Sequence, residues 1–242
     1  MSVLSATLLL PILGTALGAG GVFIKGVEFS RSKPYLLSLS AGIMLASSFW
    51  SLLIPAFEYG AVMPLCGVWT GVAFIMVIQK VTSRNMSVSD SKSASFMTAV
   101  TIHNIPEGIA VGVAAASAFA SRSPSLAASA LSLSIGIALQ NIPEGAVISM
   151  PLYYGGKSKS CAFILGIMSG IAEPVFAMIA LFFSGAMTGV LPFLLGFAAG
   201  AMIYVTVFDL LSDVYQSGGS KVLSVIVFFA GFTVMTAADL VV

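Results

Sequence analysis

Residues 103–108 read His-Asn-Ile-Pro-Glu-Gly, and residues 140–145 read Gln-Asn-Ile-Pro-Glu-Gly. His103 is the only histidine in the chain. Both copies interrupt long apolar runs, where a carboxylate at the bilayer centre costs at least about 2.5 kcal/mol and needs a partner. Glu173-Pro174 pairs the same two residue types a third time. No Lys or Arg lies deep in these runs, so the partner of Glu107, Glu144 and Glu173 must be a proton or a bound cation. His103 and Glu107 are four residues apart and share a helix face, as do Gln140 and Glu144. Asn104 and Asn141 each precede a carboxylate by three residues, which turns them beside it.

The donor set is one imidazole, carboxylate and amide oxygens, and one candidate thioether, Met44. Calcium and magnesium favour all-oxygen shells, whereas imidazole suits zinc, iron, copper and nickel. A first-row divalent metal fits best, and copper least, because both cysteines lie away from these residues. Two carboxylates match one divalent charge, and Glu173 leaves room for a second ion or a proton. Binding a metal there is expected to release protons. Pro106 and Pro143 lack an amide hydrogen and free carbonyls near Ile102 and Leu139. Such carbonyls are tolerated in lipid only where they line a cavity or find other partners. An irregular helix that helps to bind a cation is therefore expected at each, a recurring design of secondary transporters. Simpler readings exist for single residues. A lone intramembrane histidine can be structural, Met44 by spacing alone is core packing, and Glu58, Asp209 and Asp213 read as solvated end charges. Asp239, near the chain end, receives no role.

The elements that must hold these residues follow from composition. The chain has 242 residues, 58% hydrophobic and 8% charged, against about 25% charged in soluble domains. This predicts an all-α integral membrane protein, because a helix satisfies its own backbone in lipid. A span needs roughly 20 apolar residues. Eight can be drawn, at 2–24, 34–57, 61–82, 95–119, 125–151, 160–184, 190–214 and 221–242, in a single transmembrane domain covering 1–242. The first reads as a span and not a signal peptide, since no basic residue precedes Lys25. The Ser/Asn/Lys-rich connection 83–94 reads as mobile. Nine of the ten Lys and Arg residues fall on one side, with Arg122 alone opposite. The positive-inside rule puts that side in the cytoplasm and both termini outside. Cys66 and Cys161 then face opposite sides, so no disulfide is expected. A net charge of +1 gives no case for nucleic acid. Counted from the cytoplasmic ends at about 1.5 Å per residue, His103 lies roughly 12 Å deep, Met44 roughly 15 Å, Gln140 roughly 16 Å and Glu107 roughly 18 Å. Glu144 lies roughly 10 Å and Glu173 roughly 20 Å deep. The bilayer midplane is at about 15 Å.

At these residues the chain resembles the ZIP (Zrt-/Irt-like) family of metal transporters. The fourth-span motif is His103 to Gly108, the fifth-span motif Gln140 to Gly145, and the sixth-span Glu-Pro follows small residues at 169–174. The Gln form of the fifth span looks most like the GufA-type bacterial branch. The resemblance implies eight spans grouped three, two and three, the first and last three related by inverted symmetry. It implies a two-metal site. One position uses Met44, His103, Glu107, Gln140 and Glu144. The other uses Asn104, Asn141 and Glu173 and shares Glu107 and Glu144. Glu58 would guard the outer entrance and Asp209 lie on the inner exit. A rocking or elevator-like step, a homodimer and a bacterial inner-membrane location are implied too. Gln140 stands where many members carry His, which implies a weaker hold on zinc or a broader choice of metals. Asn141 stands where some carry an acid.

The expected function is import of divalent metal, zinc first, with cadmium, iron and manganese possible, by alternating access. The metal is cargo, and no cofactor acts as catalyst. A metal-gated or metal-conducting channel is the alternative. An intramembrane metallohydrolase fits poorly, since zinc hydrolases of that kind use H-E-x-x-H and this chain has one His.

Overall fold

The computed structural model describes residues 3–24, 29–85, 92–183 and 188–241. Among them every regular element is a helix. The chain begins with α1 (Val3–Ala19), which tightens into a 3-10 turn, Gly20–Phe23. α2 (Phe29–Ser47) passes through a π-helical turn, Ser48–Leu53, into α3 (Ile54–Phe57). α4 (Val62–Asn85), α5 (Lys92–Ser121) and α6 (Pro124–Tyr154) follow. α7 (Lys159–Ser169) and α8 (Ala172–Phe183) divide one apolar run. α9 (Leu191–Val205) passes through a second π-helical turn, Thr206–Leu210, into α10 (Leu211–Gln216), and α11 (Lys221–Val241) closes the chain.

Seven helical stretches among the described residues are long and apolar enough to cross a membrane, making this a multi-pass membrane protein. The eighth expected span falls in α5, where the side chains of residues 92–103 lie outside the described residues. The expected connection 83–94 is shorter than drawn: α4 runs on to Asn85 and α5 opens at Lys92, and residues 86–91 lie outside the described set. Hydrophobic side chains such as Leu17, Trp69, Met178 and Phe182 are exposed on the outer surface, while Glu107, Gln140 and Asn141 have no exposure. That inversion is what lipid as solvent requires.

The helices pack in four tight pairs, α1 with α6, α5 with α8, α4 with α9, and α2 with α11. Small residues set the distance, as in many membrane bundles. A Cβ added to Gly18 would meet the Ile142 carbonyl, and one added to Gly108 would meet the Glu173 carbonyl. The contacts advance together along each pair. Thr7 and Pro11 meet Ser134 and Asn141, so α1 and α6 run parallel. Tyr35 meets Ser220 and Ser51 meets Asp239, so α2 and α11 also run parallel.

The sequence places the helix irregularities at Pro106 and Pro143, but α5 and α6 run unbroken through both. The interruption falls instead at Gly170-Ile171, between α7 and α8. Pro174 then sits in the first turn of α8, where a missing amide hydrogen breaks no helical bond.

Candidate metal centre

Each Asn-x-Pro-Glu-Gly copy performs the same two local tasks. The Asn104 side-chain amide donates to the Ser169 carbonyl at 2.9 Å. That carbonyl is available because α7 ends there, and the last carbonyls of a helix lack internal partners. The Asn141 amide donates to the Pro11 carbonyl of α1 at 3.2 Å. The motif glycines do the packing: Gly108 admits the backbone of α8 at Glu173, and Gly145 admits the backbone of α1 at Thr15. Asparagine fixes the neighbouring helix, and glycine lets it come close enough to be fixed.

Between these anchors lie the carboxylates. Glu107 interacts electrostatically with both Glu144 and Glu173, and Glu173 also with Glu144. The Gln140 amide donates to Glu107 Oε1 at 2.6 Å, and Asn141 donates its amide to Glu173 Oε2 at 2.8 Å. The Ser40 hydroxyl, on α2, donates to Glu144 Oε1 at 3.3 Å and to the Gln140 carbonyl at 3.2 Å. Glu173 occupies the first turn of α8, where the positive end of the helix dipole favours a carboxylate.

The donor nitrogens of Asn104, Gln140 and Asn141 are thus all engaged with neighbours, and their oxygens are not. Asn104 Oδ1, Gln140 Oε1, Asn141 Oδ1, Glu107 Oε2 and Glu173 Oε1 are buried without a hydrogen-bond partner among the described residues. Leaving a buried acceptor unsatisfied costs about 1–3 kcal/mol each. Five in one neighbourhood form a set of oxygen ligands lacking an electropositive partner.

Other sequence-predicted residues fall as follows. Met44 is fully buried in the main hydrophobic core, one turn from Ser40 on α2, and its carbonyl accepts from the Ser47 and Ser48 hydroxyls. His103 lies on α5 one turn before Glu107, but its side chain lies outside the described residues. Among the described residues no three His, Cys, Asp or Glu side chains converge closely enough to hold one ion. The carboxylates interact across the centre, and the buried amide oxygens belong to the same helices. Glu58 is exposed in the turn after α3, away from this centre. Asp209 sits in the second π-helical turn and accepts from the Gln79 amide at 2.7 Å. Ser40 is the contact that motif reading misses. Its signal is present, since Ser40 lies four residues before Met44 and so on the same helix face.

A multi-pass helical bundle with a buried carboxylate and amide centre belongs to the class of membrane proteins that handle cations inside the bilayer. A model of the ZIP zinc transporter family matches residues 79–239, about two thirds of the chain, and the protein belongs to that family. It is 29% identical to zinc transporter GufA of Myxococcus xanthus over 228 residues, covering 86% of this chain and 87% of the relative. It is 40% identical to human zinc transporter ZIP11 over 146 residues, covering 60% of this chain and 42% of that protein. An Arabidopsis thaliana protein named as a putative zinc transporter is 30% identical over 226 residues. That match covers 89% of this chain but 35% of the plant protein.

Proposed function

We propose that this protein imports divalent transition-metal ions, zinc foremost, across the bacterial inner membrane by alternating access. The observation that carries the reading is the group of five buried oxygens, on Asn104, Glu107, Gln140, Asn141 and Glu173, that have no hydrogen-bond partner among the described residues. A divalent cation supplies what they lack and neutralises the adjoining carboxylates. The complete enclosure of Glu107 and Gln140 favours a carrier over an open pore.

The hydrogen bonds support two metal positions. Gln140 bonds Glu107, and Ser40 reaches both Glu144 and the Gln140 carbonyl, on one side, where His103 and Met44 would complete the shell. Asn141 and Glu173 form the other, joined by Asn104. Glu107 and Glu144 would bridge the two. The packing supports the three-two-three arrangement, and the Lys and Arg distribution supports both termini outside. An exchange of the first three spans with the last three, which also swaps the two between, carries the α1–α6 pair onto the α8–α5 pair. The same exchange carries the α4–α9 pair onto the α11–α2 pair. The functional unit is proposed to be a homodimer, as the family resemblance implies, with Glu58 at the outer entrance and Asp209 at the inner exit.

Uptake of zinc into proteoliposomes tests the reading. Wild-type protein should show saturable uptake, and joint Glu107→Ala and Glu144→Ala replacement should abolish it. Unaltered zinc flux in the double variant refutes the site. Competition among zinc, cadmium, iron and manganese ranks the metals, and ohmic current in place of saturable flux would indicate a channel.

A further inference from the structure

A second polar cluster lies away from the metal centre. In the last turn of α11, Asp239 accepts from the single Ser51 hydroxyl, whose Oγ lies 2.9 and 3.2 Å from the two carboxylate oxygens. Its Oδ1 also accepts from Ser132 Oγ at 3.3 Å. Three elements therefore meet on one carboxylate: α11, the π-helical turn after α2, and the beginning of α6. We propose that Asp239 is a positioning residue that ties the beginning of α6 to α11 and to the π-helical turn, and so shuts one end of the metal path.

The placement of Asp239 runs against local preference. An acidic side chain in the last turn of a helix faces the negative end of the dipole. Among the described residues no Lys, Arg or His forms an ion pair with Asp239. What holds it are two hydroxyls from two other helices, one of them on the nearly fully buried Ser132. π-Helical turns concentrate at functional sites, where the extra residue re-aims a side chain. Here the turn presents Ser51 to Asp239.

Geometry ties this contact to the metal path. α6 carries Gln140, Asn141 and Glu144, and α2 carries Ser40, which touches two of them. Toward the start of α6, Ser132 lies eight residues before Gln140, about 12 Å along the helix. Ser51 lies eleven residues beyond Ser40 on the α2 side, about 16 Å away. Asp239 therefore closes the seam between α2 and α6 about half a bilayer from the centre. If α6 moves with its ligands while α2 and α11 stay, this contact must break once in every cycle.

The inference rests on the alternating-access reading. It is tested in a Cys66→Ser, Cys161→Ser background carrying Ser132→Cys and Asp239→Cys, bridged by a short bifunctional thiol reagent that reductant can release. The expected result is zinc uptake before bridging, loss of uptake when bridged, and recovery after reduction. Uptake that continues unchanged in the bridged protein, or failure of the pair to bridge, overturns the inference while transport itself stands. Absence of zinc uptake in both wild-type and unbridged protein would instead overturn the transport reading. Asp239→Ala and Asp239→Asn give a second measure. Alanine should change the maximal uptake rate per folded transporter with little change in KM, and asparagine, which keeps an acceptor oxygen, should restore it. A changed KM with an unchanged maximal rate would place Asp239 in metal binding and refute the positioning role.

Discussion

At the scale of single residues, the centre is built from acceptors whose matching donors have been used elsewhere. Asn104, Gln140 and Asn141 each give an N–H group to a neighbour, and their oxygens have no partner among the described residues. Ser40 plays a supporting part by orienting Glu144 from α2. Outer partners of metal ligands typically matter about 10–100-fold in affinity. Ser40→Ala is therefore expected to raise the KM for zinc uptake about 10-fold with a smaller effect on the maximal rate, measured by uptake against zinc concentration. Gln140→His adds an imidazole and removes the hydrogen bond to Glu107. It should shift the competition series toward zinc over manganese, because imidazole suits zinc and manganese prefers oxygen. The carboxylates and amides of this site were legible in the sequence because intramembrane polarity is costly and i, i+3 and i, i+4 spacing fixes faces. Ser40 was missed, because a small hydroxyl in a helix costs little and its four-residue spacing to Met44 carries weight only once Met44 is placed at the centre.

At the scale of elements, the prolines and glycines have distinct jobs. Pro106 and Pro143 read as sites of broken helices, yet α5 and α6 continue through them. Proline is accommodated where neighbouring groups re-satisfy the freed backbone, as happens widely in membrane helices. The break at Gly170-Ile171 carries the consequence expected of the prolines, since it releases the Ser169 carbonyl to Asn104 and places Glu173 at a helix start. No strong local signal marks it, because Gly170 also packs against Thr15 of α1 and reads like any other packing glycine. The glycines of the two motifs keep helix pairs at contact distance. Gly108→Leu should force α5 away from Glu173, with a cost of at least about 1–3 kcal/mol as for other overpacked interiors. A lower melting temperature in detergent, together with lost zinc uptake, is the expected outcome. Gly189→Leu, where a Cβ meets open space, should leave both unchanged.

At the scale of the whole molecule, the multi-pass helical character was readable from hydropathy because the hydrocarbon thickness sets the length of an apolar run. The pairing was not, because helices that pack on one another are far apart in sequence and lipid-facing and protein-facing residues are equally apolar. The parallel pairs bear on how the chain can be made. Two parallel helices cannot be joined by a short turn, so each partner of α1 and α2 is synthesised well after them. α2 waits longest, since Gly42 rests against Phe228 of α11, the latest in sequence of the described helices. Until then its close-packing face has only lipid or a chaperone to cover it. A chain truncated before Lys221 should therefore reach the membrane yet remain protease-sensitive and inactive, as limited proteolysis of membranes would show. Supplying residues 221–242 as a separate segment should restore protection. The groove on α2 around Gly42 is filled only once α11 has docked, so its occupancy separates the assembled bundle from an unfinished one.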